Sequence, residues 1–176
     1  MARPSAAPWK RCCQPDPTST CASRAYRRFS EALRAAYAPG AVEGLPGAAA
    51  VVEHLRRSGV RVVLNTGFDR LLTTHLLGVL GWTSLADAVV CGDEVAEGRP
   101  APDLILRAMA LAGIAEARTV ANVGDTTLDL GAGARAGVGW NIGVWSGAHD
   151  RETLARAPHT HLCASITDLP AIVGVV

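Results

Sequence analysis

Thr66, Arg99, Asp125 and Asp129 carry the side chains in this sequence best suited to holding an anion beside a cation. Thr66 stands in "VVLNTGFD", between Asn65 and Gly67 and directly after an apolar run. A hydroxyl beside a glycine at a helix start offers Oγ and backbone N–H groups to an anion. Ser, Thr and Asn also cap helices at such places, which is the alternative. Arg99 lies between Gly98 and Pro100 in "GDEVAEGRPAPD". A guanidinium on a stiff loop can clamp a phosphate, and a plain surface arginine is the competing reading. Asp125 and Asp129, in "VANVGDTTLDLGAGARAG", are four positions apart. At the head of a helix that spacing sets both carboxylates on one face. Two such groups suit a hard cation such as Mg²⁺, which takes oxygen ligands and keeps several waters. The alternative is a helix N-cap with an acid favoured by the helix dipole, which accounts for one aspartate better than for two.

The elements that must position these residues follow from the pattern around them. Apolar spacing predicts helices over 47–58, 70–80, 102–112, 128–136 and 151–157, with a last helical turn or two over 168–173. Short apolar runs predict strands at 60–64, 88–91, 119–123, 140–144 and 161–163. Pro102 at the start of one helix and Gly113 at its end follow the asymmetry that helices favour. Strands alternating with helices predict an α/β fold, a Rossmann-like parallel sheet with helices on both faces. In open parallel sheets ligands bind beyond the carboxyl ends of the strands. Thr66, Arg99 and Asp125 each follow a predicted strand, in that order.

Three segments are expected: a leader of irregular sequence at 1–23, a helical segment at 24–40, and the α/β core at 41–176. The leader holds Pro4, Pro8, Pro15 and Pro17 and shows no period of 2 or 3.6. The helical spacing of Tyr26, Phe29, Leu33 and Tyr37 ends at Pro39 and Gly40.

A formal charge of +1 gives no electrostatic case for nucleic acid or an acidic membrane. No apolar run approaches the roughly 20 residues of a membrane helix. Five cysteines, an odd number in a chain of 176 residues, argue against a disulfide framework and point to a reducing cytoplasm. Cys12, Cys13 and Cys21 lack a paired C-x-x-C and make a poor metal site.

The ordered set of Thr, basic residue and acidic pair resembles the haloacid dehalogenase-like hydrolase superfamily. The strings "LNTGFDR", "GRPAPDLI" and "VGDTTLDLGAGARAG", with the trailing "GVWSGAHDRETLARAPHTH", are similar to its phosphonatase-like branch, close to phosphonoacetaldehyde hydrolases. The resemblance spans about residues 25–176. It implies an Mg²⁺-dependent hydrolase acting on a small phosphorylated or phosphonate metabolite, and a dimer is compatible with it. It implies that Asn65, Thr66 and the Gly67 amide bind the substrate's phosphoryl group, with Arg99 stabilising its charge. It implies that Asp125 ligates Mg²⁺ and that Asp129 supports the metal or orients its waters. Thr66, Arg99 and Asp129 would form the catalytic set.

The sequence departs from the family pattern in one respect. The family's nucleophilic aspartate, in D-x-D-x-T after a central first strand, has no counterpart here, and most of the helical cap is missing with it. Asp16 is the only aspartate before Thr66, and it sits between Pro15 and Pro17 with no apolar strand before it. The chain's only lysine, Lys10, lies in the leader, so the cap lysine's Schiff-base role is not carried over. Truncation, degeneration, or a strand supplied by another chain would each account for the gap. The abrupt loss of pattern before residue 24 favours truncation. The expected activity is therefore impaired or absent as written. The alternative function is a non-catalytic phosphate- and cation-binding remnant or interaction module.

Three further features invite other readings. Gly131, Gly133 and Gly137 lie inside a predicted helix, so close packing is expected rather than a dinucleotide turn. His159, His161 and Cys163 share one strand face but show no fourth zinc ligand. His149 follows Gly147 near a strand end and could approach the site, with no partner to name.

Overall fold

The computed structural model describes residues 28–29 and 31–175. The leader at 1–23, with Asp16 and Cys12, Cys13 and Cys21, lies outside the described residues. A first helix, α1, covers 31–36, and the alternating pattern then begins. Its elements are α2 (Ala48–Arg57), β1 (Val63–Asn65), α3 (Arg70–Val79), β2 (Ala88–Val90), α4 (Asp103–Ala112) and β3 (Ala121–Gly124). They continue with α5 (Thr127–Ala136), β4 (Trp140–Val144), α6 (Arg151–Ala155), β5 (His161–Cys163) and α7 (Leu169–Ile172).

Every strand pairing is parallel, but the strands form two pieces. β1 pairs with β2, and β3–β4–β5 form the other piece, with β4 in the middle. The sequence pattern anticipates β1 and β3 in a single sheet. In the structure no ladder joins them, because no strand lies between them among the described residues. They face each other across a groove of about 610 Å³, whose walls include Val63, Leu64, Val120 and Val123 and whose floor includes Leu55 and Met109.

The core packs mainly against the three-stranded piece. Ile142 and Val144 of β4 meet Val51 and Leu55 of α2, Cys163 of β5 and Leu169 of α7. A second cluster joins Ile105 and Met109 of α4 to Ala132 of α5. α4 packs on β1 and β2 and against α5, which in turn packs on β3 and β4, so the helix pair links the two sheet pieces.

Helix ends follow local chemistry. The Asp69 carboxylate caps α3 by accepting the Leu72 N–H at 2.7 Å. α4 and α5 end at Gly113 and Gly137, each with φ of 71°. That left-handed backbone suits glycine because it lacks Cβ. The glycine-spotted helix is explained by packing. A Cβ on Gly133 would fall 2.1 Å from Asn141 Oδ1 and 2.7 Å from Asn122 Nδ2. Those buried amides are joined to each other at 2.9 Å and to the Asp129 and Leu130 carbonyls of α5 at 3.0 and 2.8 Å. They set the start of α5 on β3 and β4.

Candidate active site

The loops at the carboxyl ends of β1, β2, β3 and β4 meet. Beyond β1, the Thr66 N–H extends the ladder to the Val90 carbonyl at 3.0 Å. Thr66 does not cap α3, since Asp69 does. Its hydroxyl instead accepts the Phe68 N–H at 3.2 Å and tightens the turn. The turn rests on the end of β2, where Gly92 N–H donates to the Phe68 carbonyl at 2.8 Å. A Cβ on Gly92 would lie 2.4 Å from the Gly67 carbonyl oxygen, so glycine is needed there for close approach.

Arg70 locks the same corner. Its guanidinium donates to Glu94 and to the Val89 carbonyl, and its backbone N–H donates to Asp93 at 3.1 Å. The Arg70 hydrogen bond and the Cys91 N–H hold the Glu94 carboxyl below the usual range. Asp93 and Glu94 thus serve the loop's shape.

Arg99 arrives from the loop before α4 and reaches both stations. One terminal nitrogen sits 3.3 Å from where a Gly67 Cβ would be. The other donates to Asp129 Oδ1, forming an ion pair whose carboxylate side chain is only 7 % exposed. The guanidinium is therefore part-buried between the Thr66 turn and the start of α5, rather than lying free on the surface.

The two aspartates divide their work. α5 is capped by Thr126, whose hydroxyl accepts the Asp129 N–H while Asp129 Oδ2 accepts the Thr126 N–H and hydroxyl. This is a reciprocal capping box with aspartate at its third helical position. With Arg99 on Oδ1, both Asp129 oxygens have donors. The helix-cap reading thus describes Asp129, while Asp125 precedes the cap. Asp125 Oδ2 accepts the Ala148 N–H at 2.8 Å. Its carbonyl accepts the His149 N–H at 3.1 Å. No donor among the described residues meets its Oδ1.

That donor set permits one carboxylate ligand to a hard cation. No group of three His, Cys, Asp or Glu side chains converges among the described residues. Mg²⁺ characteristically uses one or two carboxylates and completes its shell with water and substrate phosphate, so Asp125 fits it as a single protein ligand. Asn65 closes β1 and lines the groove wall. Gly147 and Ala148 beside Asp125, Thr126 in the capping box and Gly92 under the turn were not singled out as site residues from sequence, whereas His149 was noted there without a partner. The T-x-x-D spacing of Thr126 and Asp129 carried a cap signal; the others follow from tertiary approach.

His159, His161 and Cys163 do not converge on a common point. Cys163 is buried in the core, His159 Nδ1 bonds the Ala157 carbonyl at 2.8 Å, and His161 Nδ1 bonds the Thr160 hydroxyl at 3.0 Å. No helix among the described residues is long and apolar enough to cross a membrane.

Comparison with known proteins supplies a frame for this geometry. A model of the haloacid dehalogenase-like hydrolases matches residues 18–137. A phosphonoacetaldehyde hydrolase of Paraburkholderia xenovorans is 32 % identical over 101 residues, covering 57 % of this chain and 38 % of that protein. One from Bordetella pertussis is 29 % identical over 155 residues, covering 74 % of this chain and 55 % of its own length. The chain thus spans about two fifths to just over half of these relatives. A hydrolase structure from Pseudomonas syringae superposes with a TM-score of 0.78 at 24 % identity, covering 96 % of this chain and 74 % of that one.

Proposed function

The chain belongs to the haloacid dehalogenase-like hydrolases, and from that premise we propose that its cleft binds the phosphoryl or phosphonyl group of a small metabolite together with Mg²⁺. The observation that carries this reading is Arg99, which reaches the Thr66–Gly67 turn and the Asp129 carboxylate at once. It places a fixed cation between a hydroxyl-bearing turn and an acid that holds it in place. Asp129 orients Arg99 and closes α5, and Arg99 offers its charge to an anion. Asn65, the Thr66 hydroxyl and the Gly67 amide take the remaining anion oxygens. Asp125 would hold Mg²⁺ through Oδ1, and the bound ion would supply charge neutralisation for the phosphoryl oxygens.

The reaction class proposed for the lineage is phosphoryl or phosphonyl hydrolysis. For the 176 residues themselves we propose little or no turnover. A covalent route needs a free attacking carboxylate. Asp129 is committed to Arg99 and Thr126, and Asp125 is needed by the metal. Arg99 stays protonated and cannot act as a base. The second reading, a phosphate- and cation-binding module, shares this binding chemistry.

The test is Mg²⁺-dependent phosphate release beside Mg²⁺ and phosphate titrations, on the wild type and on Asp16→Asn, Thr66→Ala and Asp125→Asn. Binding without turnover, weakened by Thr66→Ala for phosphate and by Asp125→Asn for Mg²⁺, is the expected result. Turnover abolished by Asp16→Asn would make Asp16 the nucleophile and overturn the proposed inactivity. Failure of the wild type to bind either ion would overturn the binding reading.

A further inference from the structure

His149 has no partner legible in the sequence, and the structure gives it two. Its backbone N–H donates to the Asp125 carbonyl at 3.1 Å. Its ring Nδ1 accepts the Thr127 N–H at 3.2 Å. Thr127 is the first residue of α5 and lies just past Asp125. One histidine therefore holds the chain at the Asp125 carbonyl and again at Thr127, two residues on. The two preceding residues touch the carboxylate itself. Ala148 N–H donates to Oδ2 at 2.8 Å, and a Cβ on Gly147 would fall 2.1 Å from that same oxygen.

The ring bond fixes a chemical state. A neutral imidazole carries one N–H, and the nitrogen that accepts a bond lacks it. With Nδ1 accepting, the proton sits on Nε2. The donor is one of the helix-start N–H groups that find no partner inside the helix. Its neighbours at Thr126 and Asp129 are already paired in the capping box, and the ring satisfies Thr127. Residues 145–149 carry no regular secondary structure, so the ring is the side-chain anchor that ties this loop to α5.

We propose that His149 is a positioning residue for Asp125: as the Nε2–H tautomer it pins residues 147–149 to the start of α5. Ala148 then holds Oδ2, and Oδ1 is the oxygen kept free of donors among the described residues. The consequence for Mg²⁺ rests on the function proposed above; the geometric part does not.

The experiment uses the full chain, ¹⁵N-labelled, as wild type, His149→Ala and His149→Asn. Asparagine Oδ1 can occupy the place of imidazole Nδ1 and accept the same N–H. In the wild type, imidazole ¹⁵N shifts should report a bare Nδ1 and a protonated Nε2. The Thr127 and Ala148 amides should exchange about tenfold faster or more in His149→Ala and within about threefold of wild type in His149→Asn. Titration with MgCl₂ alone should show affinity reduced by a similar factor in the alanine variant and restored in the asparagine variant. The reverse tautomer, unchanged Ala148 exchange in His149→Ala, or equal impairment of both variants would overturn the proposal. Absent Mg²⁺ binding in the wild type, with the tautomer and exchange results as expected, would refute the metal reading and leave the positioning role standing.

Discussion

β1 and β4 are both short parallel strands of mostly apolar residues, yet their surroundings differ sharply. β4 has a strand on each edge, and Asn141 to Val144 are all buried. β1 has a strand on one edge, and Val63, Leu64 and Asn65 are all half-buried. β3, whose second edge also has no strand among the described residues, buries only Asn122. Strands in parallel sheets are apolar on both faces because they are covered on both. β1 and β3 have that composition without that cover. Backbone groups on their groove edges also lack a ladder among the described residues, and an unpaired buried group costs about 1–3 kcal/mol. The stability of this molecule should therefore be concentrated around β4 and thin along the groove.

Truncation mutants test this with the largest effect. Ile142 is fully buried between β3, β5, α2 and α7. Ile142→Ala should cost about 3–4 kcal/mol, in the middle of the range for large-to-small core changes. Leu64→Ala, at a half-buried site beside open space, should cost about half of that or less, because less apolar area and fewer contacts are lost. Urea unfolding of both variants decides the matter, and equal losses would erase the contrast. Native-state hydrogen exchange sharpens it. Amides of β4 should exchange only through global unfolding, while those of β1 facing the groove should exchange through cheaper local opening.

A smaller effect is expected where α5 meets the sheet. Gly133→Ala would put a methyl carbon 2.1 Å from Asn141 Oδ1. Alanine is the better helix former by about 1 kcal/mol, so an exposed site would gain from the change. Here displacement of the buried Asn122–Asn141 pair should outweigh that gain, for a net loss of about 1–3 kcal/mol. A thermal melt showing equal or greater stability in Gly133→Ala would mean that the amide pair relaxes freely.

Sequence order, periodicity and chain punctuation disclosed most of the architecture. β4 and β5 begin and end where their apolar runs do, and the predicted helices differ from the observed ones only by a few terminal residues. The strand predicted from residue 60 starts at Val63, because Val60 and Arg61 precede the ladder with β2. The approach of Arg99 to the Thr66–Gly67 turn and to the start of α5 was legible because each follows a strand, and strand ends in such sheets share one edge. The division of labour between Asp125 and Asp129 was not legible. It depends on Arg99 and Ala148, thirty and twenty-three residues away in sequence. The cradle at Gly147 and Ala148 was hidden for the same reason, since glycine and alanine announce no chemistry until the fold brings them against a carboxylate, and the partners of His149 were hidden with it.

The smallest predicted effect concerns pH and returns to β1. Asp87, just before β2, accepts the Val62 N–H at 2.8 Å and ion-pairs with Arg56 of α2 at 3.3 Å and Arg61 at 3.7 Å. The backbone bond from Val62, then the guanidinium of Arg56, holds its carboxyl below the usual range. A folded-state value below the unfolded one means that the unfolded chain binds the proton more readily. The stabilisation is therefore full above about pH 5 and drains as pH falls through the unfolded value near 4 and on through the lower folded value. Glu94 is lowered by Arg70 and contributes with the same sign at the other end of β1 and β2. Partly exposed ion pairs are individually weak, so the expected change is a few degrees in melting temperature between pH 6 and pH 3. Asp87 replaced by Asn keeps one acceptor for Val62 and loses the titration. Melting of Asp87→Asn should be lower than wild type at pH 6 and converge on it at pH 3. β1 amide exchange should show the same convergence more strongly than β4. A constant offset between the two proteins across that range would show that Asp87 acts through shape alone.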